Sequence, residues 1–271
     1  MLQRRASRAG SAFVDSSAYE LLARMGFAAR GIVYGIVGLL ALGLAVGIGG
    51  RATDQQGALR TVAHQPFGEV LVALLAFGLA GYAVWRLTRA ALGHGRTAQD
   101  SGWKRIGALC SGLAYAGLCA FAIELLLHRP SGGSTNPDEA TAGVLGWPGG
   151  TWLVGMAGLV ALGVAAGQVY IGAKQTFLRD AEVGRMSSAT RRWFGHLGTI
   201  GHLARGVVFG LVGVFLIKAA VEYDPKESIG LDGALAKLAG SGHGPVLLGI
   251  VAAGLLAFAA YSLAEARYHR I

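Results

Sequence analysis

Six apolar runs, at about 25–48, 67–92, 104–127, 151–173, 198–221 and 244–264, each hold enough nonpolar residues in succession to cross a bilayer as a helix. About 20 such residues span the ~30 Å hydrocarbon layer. No water is present there to satisfy an open backbone, so helix is the structure these runs must adopt. Little chain is left for a soluble domain. Composition agrees, with 53% hydrophobic and 14% charged residues and a mean hydropathy of +0.50, against roughly a quarter charged in soluble domains. Residues 1–21 are polar and Arg-bearing and read as a cytoplasmic tail. The first apolar run is too long for a signal-peptide core and reads as a retained helix.

The runs repeat. "MGFAARGIVYGIVGLL" at 25–40 returns as "IGHLARGVVFGLVGVF" at 200–215, with eight of sixteen positions identical, and more weakly as "IGALCSGLAYAGLCAF" at 106–121. Arg30, Ser111 and Arg205 align, as do Tyr34, Tyr115 and Phe209. The second helices align from Gly78, Gly163 and Gly254, which puts Trp85, Tyr170 and Tyr261 in register. The chain therefore divides into two-helix copies at 22–95, 104–180 and 196–271. Because each copy crosses twice, all three share one orientation, and any pseudo-symmetry axis runs along the membrane normal. The expected fold is all-α, six transmembrane helices as three pseudo-threefold-related hairpins.

Eighteen of the 24 Lys and Arg lie in the N-terminal segment, the second and fourth connections and the C-terminus. The positive-inside rule then places both termini in the cytoplasm. The net charge of +9 reflects this orientation and contact with anionic lipid headgroups on the cytoplasmic side, and nucleic acid is excluded as a partner. The 44 glycines sit within the apolar runs, where small residues four apart, such as Gly31/Gly35 and Gly206/Gly210, let helix backbones approach. Cys110 and Cys119 stand about 13 Å apart along one helix, too far for an intrahelical disulfide. The outer connections "GALRTVAHQPFG" and "LDGALAKLAGSGHG" carry the apolar spacing of short helices lying on the outer surface; the Pro- and Gly-rich middle connection does not.

The stretches "ARGIVYGIVGLLAL", "GALRTVAHQPFGEVLVALLAFGLAGYAVWRL" and "GLDGALAKLAGSGHGPVLLGIVAAGLLAFAAYSLAEARY" resemble the bacterial membrane family named domain of unknown function twelve-oh-six, described as three copies of a two-helix unit. The resemblance runs from about Leu22 to Ile271 and implies the bacterial cytoplasmic membrane. The middle copy departs from it, with Ser111 in place of the arginine and a longer, irregular outer connection. A family without a known activity implies no catalytic residues.

No phosphate-loop, zinc or nucleophile-elbow motif is present, so neither a cofactor nor a metal is expected. The seven histidines read as groups at helix ends or in connections. What is unusual is polarity at membrane depth, which costs a few kcal/mol per charge unless paired, hydrated or snorkelled. Arg30 and Arg205 are read near the cytoplasmic entrance of the first and fifth helices, snorkelling or contacting lipid, with Glu265 as the nearest acidic partner. Glu124 and Lys218, each 13 residues after its copy's arginine position, are expected to pair near the outer end. Gln168 is expected to make an interhelical hydrogen bond or to line a passage. The leading function is a small-solute or ion pathway. The alternative is a non-catalytic scaffold binding lipid, membrane proteins or a second copy of itself, and a lipid enzyme ranks below both. A hydrated interior favours the first, a dry packed core the second.

Overall fold

The computed structural model of the chain describes residues 16–92, 102–127 and 137–270. Six long helices carry the apolar runs: α1 (Ser17–Ala45), α3 (Gly68–Leu92), α4 (Gly102–Leu126), α6 (Gly150–Lys174), α7 (Ser188–Glu222) and α9 (Gly244–Tyr268). Three short helices of nine residues, α2 (Gln55–Ala63), α5 (Pro137–Leu145) and α8 (Leu231–Ala239), lie in the connections at the end of the bundle where α1, α4 and α7 finish, the end expected from sequence to be outer and hereafter the outer end. No strand occurs among the described residues. Helix starts follow side-chain chemistry: Ser16, Asp54 and Ser187 accept hydrogen bonds from the backbone N–H of Tyr19, Gly57 and Thr190, satisfying donors that a helix start leaves open. That chemistry sets α7 ten residues ahead of its apolar run, at Ser188.

The copies are joined in a ring. The second helix of each copy packs on the first helix of the next: α3 on α4, α6 on α7, and α9 back on α1. The aligned glycines following the arginine position mark these contacts. A Cβ at Gly31 would lie 3.0 Å from Ala259 O, at Gly112 2.8 Å from Leu87 Cγ, and at Gly206 2.8 Å from Val169 Cγ2. This recurring second-to-first packing is the pseudo-threefold relation that the repeats predict.

The ring is open at one place. In copies 1 and 3 the hairpin partners also pack, α1 on α3 and α7 on α9, but α4 and α6 make no comparable contact. The glycines record the difference position by position. A Cβ at Gly26 would come within 2.6 Å of Tyr82 N and one at Gly201 within 2.6 Å of Phe258 Cα, whereas Gly107, their counterpart, meets nothing within 4 Å. Gly78 meets Ala29 Cβ at 2.6 Å and Gly254 meets Ala204 Cβ at 2.3 Å, while Gly163 also meets nothing. Half of the apolar window is buried in α1, α3 and α9, against 28% in α4 and 17% in α6. The six helices thus form a C, with a seam between α4 and α6.

Two expectations about the outer connections change. The middle connection does form a short helix, α5, its apolar spacing at Ala140, Val144 and Leu145 surviving the prolines and glycines before and after it. The short helices also turn their apolar faces inward: Ala58, Leu59, Ala234 and Leu235 are fully buried, α2 against α1, α3 and α4, and α8 against α7 and α9. They cap the bundle because burial against protein is available there. α5 instead packs on α6 and on the turn at Pro225–Glu227, and the Tyr223 hydroxyl donates to Leu145 O at 2.8 Å.

Candidate functional site

The two copied arginines lie midway along α1 and α7, and both side chains turn into the bundle. Arg30 is 4% exposed. Its Nη2 donates to Glu265 Oε2 at 2.5 Å, Nε and Nη2 donate to Ser262 Oγ at 3.2 and 3.0 Å, and Nη1 donates to the Tyr82 hydroxyl at 2.6 Å. The guanidinium also faces the rings of Phe27, Tyr82 and Phe258 at 5.0–5.1 Å. Glu265 holds His269 Nδ1 at 3.1 Å through its other oxygen, and Arg86 donates to Tyr82 from the far side at 2.8–3.0 Å. A full charge is tolerated because every face of it has a partner. Arg30 therefore does not snorkel; it is the centre of a closed network that joins copy 1 to copy 3.

Arg205 has the same sequence context and a different environment. Its guanidinium lies 4.4 Å from the Phe258 ring centroid, 5.3 Å from Tyr34 and 5.5 Å from Phe209. Its Nε is buried without a hydrogen-bond partner, and no described residue forms an ion pair with it. The alignment of second helices gives the reason. The carboxylate of Arg30 comes from the preceding copy in the ring, and Glu265 aligns with Lys174 in copy 2 and Arg89 in copy 1. Where Arg30 meets an acid, Arg205 would meet a lysine. It turns to aromatic rings instead.

The expected pair of Glu124 and Lys218 does not form. Lys218 Nζ lies 3.0 Å from Glu227 and 3.7 Å from Glu222, with its side chain 43% exposed at the outer end. Both positions are on first helices, α4 and α7, and in the ring first helices are not neighbours. Gln168 Oε1 is 2.8 Å from His202 Nδ1, an interhelical hydrogen bond between α6 and α7. His202, unlike the helix-end or connection histidine expected from sequence, is buried among the rings of Phe177, Phe258 and Tyr261 at 5.4–5.5 Å. His269 is likewise buried, stacked on Phe27 and Trp85. Sequence reasoning also missed Tyr82 and Ser262. The signal for Ser262 was present, because its counterparts in the aligned helices are Arg86 and Ile171.

Chemically, the arginine level can bind and orient charge. Among the described residues no group of three or more His, Cys, Asp or Glu is placed to hold a metal ion. A pocket of about 210 Å³, lined by Ala63, His64, Glu69, Val72, Leu125 and Leu126, lies at the outer end, and neither arginine lines it.

The family model described as Domain of Unknown Function (DUF1206) matches the chain three times, at residues 25–93, 106–175 and 200–269. The chain is 33% identical over 251 residues to an uncharacterized protein, YxxB, of Bacillus subtilis (strain 168), covering 92% of this chain and 90% of that one. No solved structure matches it.

Proposed function

We propose that this chain, which belongs to the Domain of Unknown Function (DUF1206) family, is a non-catalytic membrane scaffold and not a passage for solutes or ions. The observation that carries this reading is the dispersal of the groups a passage would need. Arg30 is neutralised by Glu265, Gln168 is engaged by His202, and Lys218 sits at the outer end with Glu222 and Glu227. On the closed side of the C, where α1 packs on α9, the interior between these levels is filled by Val33, Val37, Ala41, Leu255 and Phe258, all below 2% exposed. Closely approaching glycines tie the copies together, the way helices associate in lipid when no hydrophobic drive exists between them.

The Lys/Arg partition supports cytoplasmic termini in a bacterial plasma membrane. Second-copy and membrane-protein partners remain within the scaffold reading, with the lipid-facing surfaces as their docking area. The test is reconstitution of the full chain into liposomes. Potassium, proton and small-osmolyte flux should equal that of protein-free vesicles. Protein-dependent flux that scales with the amount reconstituted would overturn the scaffold reading.

A further inference from the structure

We propose that the seam between α4 and α6 holds an anionic phospholipid whose phosphate pairs with Arg205. This goes beyond the scaffold reading, which does not require a particular ligand. Arg205 leans from α7 over Phe258 of α9 and Tyr34 of α1, toward the middle of the ring, and is only half-buried there. Packed helix pairs close that space on every side except between α4 and α6. Among the described residues, the half-buried cation therefore stands behind the opening between α4 and α6.

Three observations fix the chemistry of the occupant. A cation at this depth without a counter-charge is penalised by a few kcal/mol, and the equivalent Arg30 carries an acid that Arg205 lacks; the occupant must supply a negative group. The seam walls are apolar. Gly107, Gly163 and Gly167 have open space where a Cβ would be, and Tyr170 is 61% exposed although its counterparts Trp85 and Tyr261 are 4% and 1% exposed; the occupant must supply hydrocarbon. Finally, the approach is basic. Gly172 packs against Thr199 and His202, and Gly206 against Val169, so the exposed Lys174 stands roughly 8 Å nearer the membrane face than Arg205. An anionic headgroup entering from that face passes Lys174 before reaching Arg205. On α4, the half-buried Ser111 stands where the other copies carry arginine, so that wall adds no competing cation at the aligned position.

The experiment is native mass spectrometry of the full chain purified in mild detergent and loaded with phosphatidylglycerol or with phosphatidylcholine of the same acyl chains. Phosphatidylglycerol should be retained at least about tenfold better. Arg205→Gln should remove that preference, the effect of losing one charge-assisted hydrogen bond, and Arg205→Lys should keep most of it. Gly163→Leu, which meets nothing in the folded chain, should fold normally and lower retention of the lipid by filling the seam. Equal retention of both lipids, or unchanged retention in Arg205→Gln and Gly163→Leu, would overturn the proposal. Full displacement by millimolar inorganic phosphate would reassign the site to a free anion, and a lipid-free dimer lost in Gly163→Leu would reassign the seam to a second copy. Each of these results is independent of whether liposome flux is seen.

Discussion

Replacing Glu265 by Gln keeps the size of the side chain and removes the one carboxylate that, among the described residues, meets Arg30. The guanidinium is then left, 4% exposed, with Ser262, Tyr82 and three aromatic rings. Breaking one partner of a buried pair costs about 3–5 kcal/mol, which shifts the folding equilibrium more than a hundredfold at about 1.4 kcal/mol per factor of ten. Arg30→Met should cost a similar amount by stranding the carboxylate. The informative variant is the double one, Arg30→Met with Glu265→Leu. It leaves no buried charge: the Tyr82 hydroxyl keeps its two bonds from Arg86, Ser262 can return its hydroxyl to its own helix, and what is stranded is the neutral imidazole of His269, which loses its Glu265 partner. Replacing a whole buried pair by apolar residues is often neutral or stabilising, so the double variant should lose only the about 1–3 kcal/mol of one orphaned imidazole nitrogen, well short of the sum of the two single losses. Unfolding of the full chain in mixed micelles of mild detergent and SDS, followed by tryptophan fluorescence, reads all four proteins. Single variants as stable as the native chain, or a double variant that loses the sum of both, would refute the closed-network account.

Three further outcomes are expected. Gly26→Ala places a methyl 2.6 Å from the Tyr82 backbone and should cost about 1–3 kcal/mol by overpacking, while Gly107→Ala, in open space, should stay within about 0.5 kcal/mol; the same unfolding assay compares them. Burial holds the Asp54 carboxyl above its ordinary value of 3.8, with Asp232 adding to the rise and the Gly57 N–H partly opposing it. The folded chain thus binds this proton more tightly, so the stability it gives is fully present below the unfolded value and is lost as pH rises through the raised one. Asp54→Asn, an equally good N-cap, should flatten that part of a stability-against-pH curve measured upward from about pH 4. In intact cells, with Cys110 and Cys119 replaced by Ala, an impermeant maleimide should modify a cysteine placed at Ser134 and spare one at Thr97, and the reverse would refute cytoplasmic termini.

The membrane class, the six helices and the threefold repeat were legible because each rests on a period or a length that the chain states several times. From its level at the foot of the sixth helix, Glu265 reads as the nearest acid to both arginines; the ring, which the sequence does not announce, gives it to Arg30. The failures have one cause. Aligning Glu124 with Lys218 fixed a common depth, but depth does not say which helices touch, and the packing runs from second helix to first. His202 and His269 were misplaced because an imidazole reads as polar, and nothing local to either residue announces the ring of Phe, Tyr and Trp that shelters it. The seam was illegible for a stronger reason. Gly107 and Gly163 match the closely packed glycines of the other copies, so the middle copy looks as if it closes like them. What differs is the residue that would fill the gap: Gly167 stands where Tyr82 and Phe258 bridge the other hairpins.

The closure of α9 on α1 gives the molecule a history on the ribosome. Arg30 enters the bilayer with the first helix, and its carboxylate lies 235 residues further along the chain. At about 5–20 residues per second, the arginine waits on the order of ten seconds to most of a minute for Glu265 to be made. Through that interval the first helix carries a bare charge whose insertion is disfavoured by about 2.5–3.5 kcal/mol at mid-helix. The helix that carries the charge into the bilayer is thus secured in full only once α9 has been made, and this arrangement is reached no earlier than the synthesis of Glu265.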